Sequence, residues 1–197
     1  DFKYIQYVVD VDEDTMENHI SYKKICASPA DRPDVEIAAE DRAIISYTSG
    51  PTSRPRGAVL THRNMVAEAE ISARGFQQTA RDVAVLFALP LHHVFGLVGV
   101  LLTGIWEGST VVIVPGLSLA GTLGTIEKER ATIFMGVPYI YRLMIDMLQK
   151  EGLNSDLSSL RLCGSCGAPL PKKTLRQFKK LLGMPIIDFY GLTEATL

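Results

Sequence analysis

Residues 47–64 read YTSGPTSRPRGAVLTHRN, and the fold turns on how this stretch is understood. An apolar run at 43–47 ends in hydroxyls, glycine and prolines. Two arginines follow, and apolar character returns at 58–60. The pattern predicts strand, loop, strand. Gly50 and Gly57 permit backbone paths that a side chain would obstruct. Thr48, Ser49, Thr52 and Ser53 supply hydroxyls, and Arg54 and Arg56 supply fixed cations suited to phosphate oxygens. Two readings stand side by side: a loop that grips phosphate, and a surface hairpin built from ordinary turn residues.

The chain on either side weighs between them. From Arg42 onward, strand-like runs at 43–47, 83–88, 110–114, 132–135, 160–163 and 185–188 alternate with helical stretches at 62–78, 94–106, 118–130, 139–150 and 171–182. In the stretch 139–150, Ile140, Leu143, Met144, Met147 and Leu148 recur at helical spacing, and Pro138 stands where a helix accepts proline. This alternation predicts an α/β fold, a mainly parallel sheet flanked by helices. Ligands in such sheets bind beyond the carboxyl ends of the strands. The loops there, 48–56, 89–95, 136–138, 164–170 and 189–194, hold most of the unusual chemistry. That clustering favours the phosphate reading. Upstream, 4–9 reads as a strand, 10–18 as an acidic loop or helix start, 20–27 as a short helix, and 28–40 as a connector rich in proline and acid. Residues 1–41 are therefore expected to be the end of a preceding segment and its connector.

The 197 residues are 47% hydrophobic and 21% charged, which suits one globular domain or part of a larger one. The net charge of −2, with acids and bases intermixed, points to neither nucleic acid nor a membrane surface as partner. The longest apolar stretch, 94–106, is interrupted by glycines and is shorter than the roughly 20 residues a membrane helix needs, so a buried helix is expected. No signal peptide is visible at the N-terminus. Three cysteines, Cys26, Cys163 and Cys166, do not make a disulfide framework and fit a reducing compartment, so the expected location is cytoplasmic. Cys163 and Cys166 have redox-motif spacing, but a lone pair without an intervening Trp or Pro reads more plainly as buried or incidental thiols.

The loops carry particular chemistry. Past Gly50 and four residues stand Pro55 and Arg56, not the Gly-Lys of a Walker loop, which disfavours an ordinary nucleotide hydrolase or kinase. In YGLTE at 190–194, Tyr190 offers a face for a base, Thr193 a hydroxyl for a phosphate, and Glu194 a hard oxygen ligand for magnesium. Taken alone, the same residues read as a strand end and a capped turn. In LPLHHVFG at 89–96, the paired histidines read as helix-start residues, metal ligands or a pocket gate. No Cys or carboxylate stands at ligand spacing, which disfavours zinc. There is no Gly-x-Ser-x-Gly elbow for a serine hydrolase.

Read together, the loops resemble the adenylate-forming (AMP-binding) superfamily. Residues 47–64 resemble its phosphate loop, Tyr-Thr-Ser-Gly-Thr-Thr-Gly-x-Pro-Lys-Gly with a Leu-Thr-His-x-Asn tail. Residues 89–96 are similar to its Leu-Pro-x-x-His segment, 164–170 to its Ser-Gly-Gly-Ala-Pro-Leu turn, and 188–194 to its Tyr-Gly-x-Thr-Glu motif. Order and spacing match over nearly all of 42–197, and the chain looks most like the large N-terminal domain of a bacterial fatty-acyl-CoA synthetase, a long-chain-fatty-acid–CoA ligase. The resemblance implies that a carboxylate attacks the α-phosphate of MgATP, and that coenzyme A then displaces AMP from the acyl-adenylate. It implies that Thr48, Ser49, Gly50, Thr52, Ser53, Arg56 and Gly57 belong to the site of the β- and γ-phosphates. Gly167, Ala168 and Pro169 would line the adenine and acyl site, Asp188 would accept from the adenine amino group, and Tyr190, followed by Gly191, would stack on adenine. Thr193 would contact the α-phosphate, Glu194 would bind Mg2+, and His93 would sit beside the carboxylate and gate the acyl channel.

Amino-acid-activating relatives carry an aspartate near the position of His93. Here Val94, Phe95, Gly96, Leu97 and Val98 follow, and a buried ammonium without an anionic partner is costly. The expected substrate has an uncharged tail, fatty rather than aromatic, and peripheral membrane contact stays open. The chain departs from the family at Pro51, which lacks a backbone donor, and at Ser53 and Cys166, which replace glycines. Arg56 replaces a lysine. These bear on how tightly ATP is held. The family's downstream ribose-binding aspartate, hinge and lysine-bearing C-terminal domain are not in the sequence, and residues 1–197 alone are expected not to turn over. The competing readings are a nucleotide- or acyl-binding module without catalysis, a structural fragment, and another adenylate-former such as an aryl-CoA ligase.

Overall fold

The computed structural model describes residues 7–11, 19–29, 34–48, 55–116, 118–150 and 155–197, and the chain divides into two units, Asp1–Ile37 and Ala38–Leu197. In the first unit, β1 (Val9–Asp10) pairs in parallel with β2 (Ile20–Ser21), and α1 (Tyr22–Ala27) follows. His19 Nδ1 lies 3.0 Å from both carboxylate oxygens of Asp10.

The second unit opens with β3 (Arg42–Thr48) and β4 (Arg56–Thr61), paired antiparallel from Arg42↔Thr61 to Thr48↔Arg56. This corrects the expectation that 43–47 belongs with the parallel strands. The connection between β3 and β4 is too short for the crossover that parallel pairing needs. At the far end of β4 the chain enters α2 (His62–Gly75) through a reciprocal cap. The Thr61 N–H donates to Asn64 Oδ1 at 3.0 Å, and the Asn64 N–H donates to Thr61 Oγ1 at 3.2 Å. Two of the helix's orphan donors are thereby satisfied.

Five parallel strands make the main sheet: β5 (Val83–Leu86), β6 (Thr110–Ile113), β7 (Ile133–Gly136), β8 (Leu162–Ser165) and β9 (Ile186–Asp188), in the order β6-β5-β7-β8-β9. Side chains alternate between two buried faces. Val85, Phe134 and Cys163 pack with α4 (Leu119–Lys128), α5 (Pro138–Lys150) and α6 (Lys172–Leu182). Ala84, Leu86, Ile133, Met135 and Leu162 face the other way, with Phe95 and Val100. The split follows from handedness. The chain moves one way from β5 to β6 and the other way from β6 through β7, β8 and β9. Right-handed crossovers then put the connecting helices on opposite faces.

The stretch expected as one buried helix at 94–106 winds differently. Phe95–Leu102 is a π-helix that continues into α3 (Thr103–Glu107). The wide turn is supported where Thr103 donates from Oγ1 to the Val98 carbonyl at 2.8 Å. Gly96 abuts the Leu89 and Pro90 carbonyls, where an added Cβ would come within 2.8 Å of both oxygens. The far end is not buried, since Ile105 and Trp106 are exposed. Among the described residues, no helix is long and apolar enough to cross a membrane.

At the amino ends of β5, β7 and β8 sits a clamp that the sequence reading missed. The buried Asp82 carboxylate accepts from Arg161 Nε and Nη2, both at 2.7 Å, from Thr132 Oγ1 at 2.7 Å, and from the Thr79 N–H at 2.8 Å. The remaining Arg161 donors reach the Phe76 and Gln77 carbonyls. The guanidinium holds the Asp82 carboxyl well below the usual carboxylate range, and the hydrogen bonds from Thr132 and Thr79 add to this. Arg161 lies within the stretch 160–163 that is expected from sequence as a strand. That strand, β8, starts at Leu162 instead.

Candidate functional site

Beyond the carboxyl ends of β8 and β9, beside the β3–β4 hairpin, lie two adjoining clefts of about 420 and 360 Å3. The first is lined by Thr48 from β3, by His93 and Phe95, and by Thr193 and Glu194. The second is lined by Ala168, Pro169, Asp188 and Tyr190. Cys166, Gly167 and Gly191 border both. Four separate stretches of sequence thus meet around one space.

Local structure aims each group. His93 precedes the π-helix, and its Nδ1 accepts the Phe95 N–H at 3.1 Å. A ring nitrogen that accepts carries no proton, so in the neutral ring the proton sits on Nε2. Phe95 packs edge-on against Phe189, with centroids 5.5 Å apart, and Phe76 approaches Phe189 at the same distance. These contacts tie the histidine segment to the chain that carries Asp188 and Tyr190. Gly167 has φ +88°, a conformation that favours glycine. Below that turn, the Tyr141 hydroxyl lies 2.8 Å from the Gly164 carbonyl and 3.0 Å from that of Phe134, joining β7 to β8. Tyr141 is fully buried and stacks edge-on with Phe134 and Phe178.

The groups that face ligand space are open. Tyr190 is 84% exposed, and Asp188, Glu194 and His93 are exposed. Among the described residues, the Thr48 side chain makes only a long bond, from Oγ1 to the Arg56 carbonyl at 3.5 Å. Among the described residues, no group of three or more His, Cys, Asp or Glu gathers to hold a metal ion. Glu194 stands as a lone carboxylate among the described residues of the first cleft, with the Thr193 hydroxyl nearby.

Of the residues singled out from sequence, Thr48, His93, Gly167, Ala168, Pro169, Asp188, Tyr190, Gly191, Thr193 and Glu194 line the clefts. Ser49, Gly50, Thr52 and Ser53 lie outside the described residues, as do Pro51 and Arg54. Arg56 and Gly57 line neither cleft. Gly57 pairs with Tyr47, and a Cβ there would meet Ile45 Cγ2 at 2.7 Å, so hairpin packing accounts for it. At Gly191 a Cβ would collide with the backbone of Leu197. Val94 and Phe95, read from sequence as the apolar wall beside His93, border the first cleft, and so do Tyr47, Leu192 and Leu197, which were not singled out. Their apolar character looked like ordinary strand or core, and only assembly reveals them.

Cys163 and Cys166 do not form a reactive pair. They belong to the cores on opposite faces of the sheet, and burial pushes the Cys163 thiol pKa up to about 12. Burial also raises that of Cys166, helped by the charge of Asp188, while the Gly167 and Gly191 N–H groups oppose the rise.

A parallel sheet with glycine turns, hydroxyls and carboxylates gathered beyond its carboxyl ends defines an α/β ligand-binding domain of the kind that takes nucleotides. Residues 3–197 match the AMP-binding enzyme family, and the chain belongs to it. It is 34% identical over 186 residues to the mitochondrial malonate–CoA ligase of Mus musculus, covering 88% of this chain and 32% of that protein. It is 35% identical over 158 residues to a long-chain-fatty-acid–CoA ligase of Bacillus subtilis (strain 168), covering 79% and 28%. The solved structure of an anthranilate CoA ligase in complex with anthranoyl-AMP superposes with a TM-score of 0.88 at 28% identity, covering 98% of this chain and 38% of that one. The chain spans about a third of the length of these relatives.

Proposed function

We propose that this chain is the nucleotide-binding part of an enzyme that activates a carboxylic acid with ATP and transfers the acyl group to coenzyme A. The observation that carries the reading is the meeting of Thr48, His93, Thr193 and Glu194 around one cleft, with Asp188 and Tyr190 in the next. The acid's carboxylate attacks the α-phosphate, forming an acyl-adenylate and releasing pyrophosphate. The thiol of coenzyme A then attacks the acyl carbon and AMP departs. Negative charge accumulates on the phosphates in the first step, and preorganised donors lower its cost.

Each residue has a part suited to its surroundings. The exposed ring of Tyr190 stacks on adenine, and Asp188 accepts from the adenine amino group. The Thr48 hydroxyl, weakly engaged as it is, turns to a phosphate oxygen. Thr193 donates to the α-phosphate. His93, with Nδ1 occupied by the Phe95 N–H, offers Nε2–H to the substrate carboxylate and orients it. Magnesium is commonly bound through one or two carboxylates together with substrate phosphates, so a lone Glu194 fits it. When bound there, the metal neutralises phosphate charge. Ser49, Gly50, Thr52 and Ser53 complete the phosphate grip, and residues 42–197 carry the nucleotide-binding part.

The relatives act on acids as different as malonate and long-chain fatty acids, so the choice of acid rests on this chain's own wall. Beside His93 that wall is Val94 and Phe95, and among the described residues Glu194 is the only acid lining the first cleft. A substrate ammonium would find no partner near His93 among the described residues, so the acid has an uncharged tail, fatty rather than aromatic. ATP–pyrophosphate exchange by the full-length enzyme with a panel of fatty, aromatic and amino acids tests this. Exchange driven best by an amino acid would overturn it. One observation favours a binding module without turnover: Arg56, a cation of the loop, lines neither cleft. Calorimetric ATP binding without any exchange would mark that outcome.

A further inference from the structure

The mild overall charge conceals a segregated one. Helix α6 reads KKTLRQFKKLL, and its 11 residues hold five of the chain's 20 lysines and arginines and no acid. At 3.6 residues per turn, Lys172, Lys173, Arg176, Lys179 and Lys180 project within an arc of about 120°. The buried Thr174 and Phe178 lie on the opposite side. All five cations are exposed, and none makes an ion pair with another described residue.

This arrangement works against the helix. Arg176 stands four residues from both Lys172 and Lys180, and like charges one turn apart destabilise a helix. Lys172 and Lys173 also sit in the first turn, where the helix dipole disfavours cations, while Lys179 and Lys180 sit in the last, where it favours them. A stripe whose like charges repel one another, and which has no ion-pair partner among the described residues, is open to an external anion. The character of the face selects which one. It carries no aromatic or amide group interleaved for reading bases, as single-stranded nucleic acid would use. It has no apolar centre of the kind that anchors a protein interface. Four of the five cations are lysines, compact point charges rather than bidentate forks, which suits a diffuse plane of anions.

We propose that the exposed face of α6 docks on an anionic lipid surface. Clusters of this size on an amphipathic helix are worth about a fivefold gain in partition per cation near such a surface. The helix is about 16 Å long, so all five charges lie within a span that one flat surface can meet. It begins just after Pro169, which borders the second cleft, so docking would hold that cleft near the bilayer.

The test is co-sedimentation of the full chain with phosphatidylcholine vesicles, with and without phosphatidylglycerol. Binding is expected only with phosphatidylglycerol, and is expected to fall steeply with salt. The triple change Lys173→Gln, Arg176→Gln, Lys180→Gln is expected to lower partition by about a hundredfold. It should leave the melting temperature unchanged or raised, since like charges are removed. Lys173→Arg with Lys180→Arg is expected to retain binding. Absence of binding at low salt, equal binding to neutral vesicles, or undiminished binding by the triple variant would overturn the proposal. So would tighter binding through the same residues to RNA or to an acidic protein than to vesicles. The assay needs no turnover, so its outcome is separate from that of the proposed reaction.

Discussion

The two ends of the parallel sheet are built on opposite terms. At the amino ends, Asp82 is buried and its carboxylate is filled by Arg161, Thr132 and Thr79. At the carboxyl ends, Asp188, Tyr190 and Glu194 stand exposed, and no side-chain hydrogen bond to another described residue ties them down. Both ends use acids and hydroxyls. What differs is whether the partner is inside the fold. A carboxylate satisfied within the protein contributes to folding and has nothing left to offer a ligand. One left open contributes little to folding and is available for chemistry. Residue type alone does not distinguish them.

The largest effect separating the two ends is expected from Asp82→Ala. Arg161 is half-exposed and can turn to water, but Thr132 and the Thr79 N–H lose this acceptor and the charged hydrogen bonds are gone, so a loss of about 2 to 3 kcal/mol in urea unfolding is expected. ATP affinity per folded molecule should not change. At the other end, Glu194→Gln should do the reverse. In the full-length enzyme it is expected to lower turnover about a hundredfold, equivalent to about 2.7 kcal/mol, and in this chain to shift stability by less than about 0.5 kcal/mol. Equal loss of stability in both variants would erase the contrast.

Tyr141→Phe probes the boundary between holding and acting, because Tyr141 is buried yet braces the Gly164 turn below the clefts. Loss of its hydroxyl is expected to destabilise by about 1 to 2 kcal/mol. If the tyrosine positions the turn, KM for ATP should rise while the chemical step is spared. The mildest perturbation is acid. The folded-state pKa of Asp82 is depressed below its unfolded value. Its contribution is therefore fully present above the unfolded carboxylate range, about pH 4, and is lost as pH falls below it. Thermal unfolding followed from neutral to acid pH should show this decline, and Asp82→Asn should flatten that part of the profile.

The legibility of the sequence divides along similar lines. The parallel strands and their helices were readable because both sheet faces are buried, which leaves short apolar runs at regular intervals. The cleft residues were readable because their motifs are local in the chain. Asp82 and Arg161 were not, because 79 residues separate them and each looks like an ordinary surface charge. The opening stretch combined two structures in one pattern. Its Thr61 and Asn64 cap α2, and Gly57 answers to packing in the hairpin. The choice between hairpin and phosphate loop was also a false one, since the loop joins the two strands of an antiparallel hairpin. The π-helix left no sign in hydrophobicity, because its residues are apolar on all sides and carry no period to distinguish one winding from another.

That winding has a consequence for how the chain tolerates change in length. A π-helix takes in more residues per turn than an α-helix, so Phe95–Leu102 behaves like an insertion held in place. Deleting one residue there would let the backbone settle into ordinary α-helix, a locally favourable result. Because the wide turn already absorbs the extra residue, the two flanks would turn relative to each other by well under the ~100° that the same deletion causes in an α-helix. His93 lies on one side and β6 on the other. The segment thus acts as a spacer whose residue count sets the aim of the histidine. A shortened chain is expected to fold and to shift the ring of His93, with its Phe95 N–H contact, by less than a full residue step relative to the cleft.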